Sequence, residues 1–464
     1  MLTFQESLAY LYSFVSYERQ ASWHYSNKTL NLERFRGFLA LLGDPQHAVP
    51  AIHVAGSDGK GSVCAMLASV LQAMGYKVGL YTSPHLQNIR ERIRIDGDWI
   101  SEADFARWTT YLQENTRRYT PPPEGYATFF ELMTAMAFLH FQHKQADFMV
   151  IETGLGGRLD ATNVMRPRVT VITHISLEHT EQLGNTLEAI ADEKLGITRP
   201  AVPAVIGSQD ADLYAHFEKR LHNHSAPVVY AGRQYRAGSE KRGARYRTLE
   251  VESPPGRRRI VQIPLFGQYQ IENTLTALAA LDTLVQHRVI PPISTQVLRK
   301  GFRNAYWPGR FEILRRPGKS PLVLDVAHTT NGAASLRRSL DEFYPSRKRI
   351  FVLGFLQDKR IGEMVQHLVR PQDRLIITQA PSPRAASLGQ ILHELDGLPD
   401  IAAACLPRPE PRAALDLAVQ LGTKNDVICV AGSLYLVGEI RSFLLSGNEK
   451  KPASPEVTSD VSGG

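Results

Sequence analysis

The stretch "HVAGSDGKGSV", residues 53–63, decides the fold. The general phosphate-loop pattern places a glycine, four free residues, then Gly-Lys-Ser/Thr. Here Val54 stands where the first glycine belongs, Gly61 follows Lys60, and the serine comes one later, at Ser62. The surroundings are nonetheless those of a nucleotide loop. "AIHVA" (51–55) reads as a short buried strand. "SVCAMLASVLQAM" carries Val63, Leu67, Val70, Leu71 and Met74 at helical spacing and closes on Gly75, and "KVGLYTS" (77–83) is the next strand. Strand, loop, helix and strand form a βαβ unit with parallel strands. The start of its helix attracts phosphate through free amides and the helix dipole. Gly56, Gly59 and Gly61 let backbone approach a phosphate chain, Lys60 can reach its outer oxygens, and Ser62 adds a hydroxyl.

Working outward, further short strands read at "FMVIE" (148–152), "VTVIT" (169–173) and "AVPAVI" (201–206), with helices at 129–143 and 186–197. The fold class is α/β: a P-loop, doubly wound N-terminal domain over 1–300. After "YWPGRFE" (306–312) a second alternating series begins. Its strands are "PLVLDVA", "RIFVLGF", "RLIITQA" and "DVICVAG", and its helices lie near 333–343, 361–369, 411–421 and 434–445. It predicts a smaller, Rossmann-like α/β C-terminal domain over 301–446. The polar tail 447–464 reads as disordered. The opening residues read as an amphipathic helix with Phe4, Leu8, Leu11 and Val15 on one face, not as a signal peptide.

The composition, 43% hydrophobic and 21% charged, is that of a globular protein. No stretch approaches the roughly 20 apolar residues of a membrane span. Cys64, Cys405 and Cys429 are too scattered for a disulfide framework or metal cluster and fit a reducing, cytoplasmic compartment. The net charge is +7, with basic residues crowded between 232 and 259. That segment lacks the aromatic and glycine pattern of an RNA-binding sheet and reads as a solvated hairpin, so no nucleic-acid partner is expected. A modest positive balance also suits small anionic substrates.

Several residues could carry chemistry. Glu152 ends an apolar strand, as does the carboxylate that holds Mg²⁺ in P-loop proteins. It precedes "GLGGRLDATN", whose Gly154, Gly156 and Gly157 would approach a ligand, with Arg158 and Asp160 at the edge. His179, flanked by Glu178 and Glu181, follows strand 169–173 at the end where parallel sheets place their sites, and could be a second metal ligand. Lys194 beside Glu193 is an ordinary surface pair unless buried, in which case it needs neutralising or modifying. In the second half, Arg310 of "WPGRFE" sits in the linker, and Asp325 and His328 of "LDVAHTTNG" end a strand.

Together these blocks resemble the folylpolyglutamate synthase/dihydrofolate synthase family, within the group that includes the muramyl-peptide amino-acid ligases. The likeness runs from about residue 8 to 445. It includes "NLERFRGFLALLGDPQ", "LYTSPHLQNIRERIRIDG", "TFFELMTAMAF", "IETGLGGRLDATN", "LEHTEQLGNTLEAIADEKLGI", "PLFGQYQIENTLTA" and "AGSLYLVGEIR". The family's own loop is G-x-x-G-K-G-S, which residues 56–62 fit in full. The resemblance implies that ATP phosphorylates a substrate carboxylate and that the amino group of L-glutamate displaces the phosphate. It implies ATP contacts at Gly56, Ser57, Asp58, Gly59, Lys60, Gly61, Ser62, Asn273 (near adenine), Arg310 and Asp325. Mg²⁺, one ion or two, would be held by Ser83, Glu152 and His179, and by Lys194 once carbamylated. His328 would serve the nucleotide and glutamate side. Thr128, Phe130 and Asp160 match positions that bind the pterin in members acting on dihydropteroate.

Three departures stand out: Ser57-Asp58 replaces the usual Thr-Asn, Tyr269 replaces a His, and Thr329 replaces an Asn. The reading is a monomeric, cytoplasmic, ATP-dependent ligase of one-carbon metabolism. It joins glutamate to reduced folate and to dihydropteroate, with no membrane partner. The alternatives are a polyglutamate-only synthase, another ATP-dependent acid–amino-acid ligase, and a non-catalytic nucleotide-binding regulator.

Overall fold

The computed structural model describes residues 1–19, 25–26, 29–119, 127–243, 245–316 and 318–446. The tail 447–464 lies outside them. The chain forms two compact units. One comprises 1–262 and 267–307; the other comprises 263–266 and everything from Pro308 on.

The first unit is built on eight strands: β1 (Ala51–Ala55), β2 (Val78–Tyr81), β3 (Ile93–Ile95), β4 (Asp98–Trp99), β5 (Phe148–Glu152), β6 (Pro167–Ile172), β7 (Ala204–Ile206) and β8 (Val228–Tyr230). Their order is β4-β3-β2-β5-β1-β6-β7-β8. All neighbours are parallel except the β2–β3 and β3–β4 pairs. β1 and β2 are parallel, as the βαβ reading requires, with β5 inserted between them. β1, β2 and β5 are buried along their whole length, which explains their unbroken apolar runs. Val54 pairs with Glu152 and Ala55 with Ile172. The carboxyl ends of β5, β1 and β6 therefore lie side by side, and three loops leave the sheet together there.

β3 and β4 are joined by Asp96 and Gly97, both at positive φ (51° and 89°), the backbone of a two-residue hairpin turn. The apolar core on one side gathers Phe35, Phe38, Phe105, Phe129, Phe138 and Phe141. A separate three-stranded sheet, β9 (Arg236–Arg242), β10 (Arg247–Ser253) and β11 (Arg257–Ile263), has β10 at its centre. This is the segment expected as a solvated hairpin. β9 is exposed along most of its length, while β10 alternates and buries Arg247, Leu249, Val251 and Ser253.

The second unit carries a six-stranded sheet, β12 (Glu312–Leu314), β13 (Leu322–Leu324), β14 (Lys348–Leu353), β15 (Arg374–Ile377), β16 (Cys405–Pro407) and β17 (Asp426–Ala431). Its order is β12-β13-β17-β14-β15-β16, parallel except for edge strand β12. Phe266 packs into this unit's core edge-on to Phe343, with centroids 5.6 Å apart.

Local chemistry moves several expected boundaries. The first helix is Phe4–Tyr12, closed at its start by a capping box between Thr3 and Glu6. It ends before Val15, which is 49% exposed and leaves the expected apolar face. The helix expected over 186–197 is Leu187–Leu195, because Thr186 caps its start and Gly196 its end. β7 begins at Ala204, since Pro203 has no N–H for the ladder. No described helix is long and apolar enough to cross a membrane.

Candidate active site

The loop between β1 and the Lys60–Ala73 helix is shaped for an anion. Gly59 is the N-cap, at φ 90°, and no side chain caps the helix. The first amides of a helix have no intrahelical partner, so those of Lys60, Gly61 and Ser62 are left for a ligand. Upstream, the Ser57 and Asp58 amides donate to the His174 carbonyl at 2.9 and 3.1 Å, which ties the loop to the end of β6. A Cβ on Gly59 would stand 2.1 Å from Asn273 Oδ1, and one on Gly61 would stand 2.4 Å from the Trp307 ring. Asn273, expected near adenine, thus packs directly on the phosphate loop. Ser62 Oγ accepts from Gln270 Nε2 at 3.1 Å.

Two ammonium groups converge on one oxygen. Lys60 Nζ donates to the Gly56 carbonyl at 2.7 Å and to the Ser57 carbonyl at 2.9 Å. Lys194 Nζ donates to the same Gly56 carbonyl at 2.8 Å. Lys194 is 1% exposed, so it is not a surface residue paired with Glu193. Its carboxylate is Glu178, at 2.9 Å. Glu193 instead holds Arg158 and accepts from the Tyr25 hydroxyl at 3.0 Å. Burial lowers the Lys194 pKa and the Lys60 charge lowers it further, against the pull of Glu178. Burial alone would raise Glu178, but Lys194, Lys60 and His179 outweigh it and hold that carboxyl well below its ordinary value. Asp58, expected among the ATP contacts, has a partner of its own. Its carboxylate accepts from Ser176 Oγ at 2.7 Å, and its charge favours the ammonium form of Lys194.

Glu152 is buried at the end of β5, and its Oε2 accepts from the Ser83 amide at 3.1 Å. His179 starts a short helix, Thr180–Leu183, from a left-handed backbone position at φ 48°. Among the described residues no three His, Cys, Asp or Glu side chains form a ready-made metal cluster. One buried carboxylate beside a serine nevertheless suits Mg²⁺, which binds through one or two carboxylates and completes its shell with water and nucleotide phosphates.

The loop after β5 is held from within. Asp160 Oδ2 accepts from the Gly154 and Leu155 amides at 2.9 Å each, and Oδ1 accepts from the Thr162 amide at 2.9 Å and its hydroxyl at 2.5 Å. Four donors fill the acceptor sites of a carboxylate. Asp160 is also 4% exposed. Asp160, expected to accept pterin N–H bonds, here holds the amides of the glycine-rich loop. Thr128 has a structural duty too. It caps the Phe129–His143 helix in a capping box with Glu131, which Arg34 pairs at 2.6 Å. Phe130 lies against Gly154, whose added Cβ would meet the ring at 2.5 Å, and 6.0 Å from the Tyr81 ring.

In the second unit, Arg310 precedes Phe311, a non-glycine residue at φ 49°. The Phe311 amide donates to Asp325 Oδ2 and the Ala327 amide to Oδ1, each at 2.8 Å. Buried Asp325 thus braces the turn carrying Arg310. Glu312 accepts from the Gly309 amide at 3.0 Å and pairs with Arg441. His328 Nδ1 lies 3.0 Å from the Val326 carbonyl. Thr329 caps the Thr330–Phe343 helix by accepting from the Gly332 amide at 3.0 Å, so the departure from Asn keeps a capping side chain.

His53, whose Nε2 lies 2.8 Å from Thr162 Oγ1, and Gln270, Trp307 and Arg441 also belong to these arrangements, and sequence reasoning missed their contributions. Their only signal was membership of the motif blocks, because each acts on a partner distant along the chain.

The chain matches the Mur ligase middle domain over residues 54–281 and the Mur ligase glutamate ligase domain over 309–434. It is 30% identical to the dihydrofolate synthase/folylpolyglutamate synthase of Bacillus subtilis, over 93% of this chain and all of that one. Among solved structures it is similar to the folylpolyglutamate synthase of Thermotoga maritima, with a TM-score of 0.81, 31% identity, and 96% and 98% of the two chains covered. It is also similar to the Mycobacterium tuberculosis folylpolyglutamate synthase complexed with ADP, with a TM-score of 0.84, 28% identity, and 97% and 99% covered.

Proposed function

The chain belongs to the folylpolyglutamate synthase/dihydrofolate synthase family of Mur ligases, and from that premise we propose how its residues divide the work. The protein is an ATP-dependent ligase that joins glutamate to a folate carboxylate. The observation that carries the assignment of residues is the convergence of Lys60 and Lys194 on the Gly56 carbonyl, beside an uncapped helix start. Two cations sharing one oxygen repel each other, and a phosphate chain at the free amides relieves that repulsion.

The chemistry follows from the substrate. A carboxylate is a poor electrophile. Its oxygen attacks the γ-phosphorus of ATP, ADP leaves, and an acyl phosphate forms. The uncharged amine of L-glutamate then attacks the carbonyl carbon, and the tetrahedral intermediate expels phosphate to leave an amide. Lys60 swings from the loop carbonyls to the outer phosphates and neutralises charge that builds on transfer. Glu152, Ser83 and His179 would hold Mg²⁺, which supplies further charge neutralisation when bound. Lys194, with its lowered basicity, presents an amine able to take up CO₂. The ammonium first gives up a proton, the N–C bond to CO₂ forms, a second proton leaves the nitrogen, and the former cation becomes a carbamate that could serve a second metal. Arg310, on the turn braced by Asp325, serves the phosphates, and His328 serves the nucleotide and glutamate side. Phe130 offers an aromatic face to the pterin. Three scattered cysteines suit a cytoplasmic enzyme, and a monomer suffices for this scheme.

We extend the reading to both substrates, dihydropteroate and reduced folate. The double name of the Bacillus subtilis relative supports this. ADP release, measured with and without glutamate and with each acid in turn, tests it. Turnover of tetrahydrofolate alone would reduce the protein to a polyglutamate synthase. ADP release that ignores glutamate would remove the ligase assignment.

A further inference from the structure

His53 lies in the middle of β1, three residues before the phosphate loop, and is 1% exposed. Its Nε2 is 2.8 Å from Thr162 Oγ1. The Thr162 hydroxyl has one proton, and the 2.5 Å contact to Asp160 Oδ1 takes it. Thr162 can then only accept from the histidine, so Nε2 carries the proton. Nδ1 has no partner among the described residues. From Asp160 the contacts continue to the Gly154 and Leu155 amides. A connected line of hydrogen bonds thus runs from β1 to the glycine-rich loop after β5.

We infer that His53 is a positioning residue: donating from Nε2, it fixes Thr162 and Asp160 and so sets the glycine-rich loop against its substrate. The inference rests on the reading that this loop faces the folate. A structural histidine inside a core gains from using both nitrogens or from replacement by an apolar residue. This one leaves a nitrogen unpartnered while its other nitrogen orients a threonine with a single proton to give. Burial depresses its pKa to about 3, so it stays the neutral donor throughout the range in which enzymes work. The directed line is broken most gently at Thr162→Val, which conserves shape and removes only the hydroxyl, while Thr162→Ser keeps it.

The test compares His53→Leu, Thr162→Val, their double variant, Thr162→Ser and His53→Gln, whose amide can place a donor near the site of Nε2. Losing one net hydrogen bond is worth about a tenfold effect. The folate KM should therefore rise about tenfold in the first two variants, with ATP KM within about twofold. The double variant should be no worse than either single, because both break one line. Thr162→Ser and His53→Gln should recover most of the loss. Nitrogen NMR of the wild type should show a protonated Nε2 and a bare Nδ1. A protonated Nδ1, additive effects, or equal shifts in both KM values would overturn the inference. Phe130→Ala separates the two layers. If it raises the folate KM while His53→Leu does not, the hydrogen-bond line is wrong and the loop assignment stands. If neither raises it, the loop does not face folate and the positioning role falls with it.

Discussion

Two glycine-rich loops leave neighbouring strands of the same sheet, and they are held in opposite senses. In the loop after β1, lysine ammonium groups occupy carbonyl oxygens, and the amides at the helix start stay available. In the loop after β5, a buried carboxylate occupies amides. The first arrangement leaves a surplus of positive potential for a phosphate chain. The second has already given amides to an anion of its own and is electrostatically closed to another. Glycine content alone does not make a phosphate site; what the neighbouring charges have taken does.

The largest effect that would break this contrast lies at Lys60. Lys60→Ala should lower glutamate-dependent ADP release on the order of 10³-fold, as loss of a positioned charge at a reacting phosphate does. Its thermal unfolding should stay near that of the parent, because the ammonium holds only loop carbonyls. A folded variant with near-normal turnover would show that the open amides are not the phosphate site.

Next comes Lys194. Lys194→Ala should cost about 10²-fold in kcat, with bicarbonate giving no recovery because no amine remains to react. Mass spectrometry of the native protein should find one labile CO₂ adduct, absent in the variant. A fully active alanine variant with an unmodified parent would reduce Lys194 to a counter-ion for Glu178.

Asp160→Asn probes the closed loop. It exchanges an acceptor oxygen for a donor that faces amides, and hydrogen bonds to charged groups are worth about 1.5–3 kcal/mol. If Asp160 acts by holding the loop amides, the KM values for dihydropteroate and tetrahydrofolate should rise together, by about tenfold or more. A rise for dihydropteroate alone would mark a direct contact of Asp160 with the pterin.

The mildest prediction concerns pH. His53 is neutral in the folded chain, with its pKa lowered by burial to about 3 from 6.5. Between those values the unfolded chain binds the extra proton, so acidification draws the equilibrium towards unfolding. Stability should fall below about pH 6.5 by at most about 1.4 kcal/mol per pH unit from this group. His53→Gln should flatten the denaturation profile there; an unchanged slope would place the acid sensitivity elsewhere.

The sequence was legible where local pattern carries the information. Unbroken apolar runs exposed β1, β2, β5 and β6, and the spacing of Gly59, Lys60 and Ser62 exposed the anion loop. β3 and β4 were not legible because strands of three and two residues have no measurable period. Lys194 was placed near its site through family resemblance, but its partner was not, since Glu193 is adjacent in sequence while Glu178 is adjacent in space. The loop contacts of Asp160 were not legible, because a carboxylate after a glycine-rich segment looks alike whether it serves a ligand or the loop's own amides. Asp325 shows the same ambiguity, with both its oxygens on backbone amides.

The four residues 263–266 have a further consequence, for inheritance. They belong to the second unit although about forty residues of the first follow them. The chain therefore crosses between units three times, and no single cut in the gene yields two whole pieces. A break near codon 300 would strand Phe266 with the wrong half and leave an opening beside Phe343. Exchange of halves between related genes should succeed only when this short segment travels with the second one, so the two units are expected to descend together.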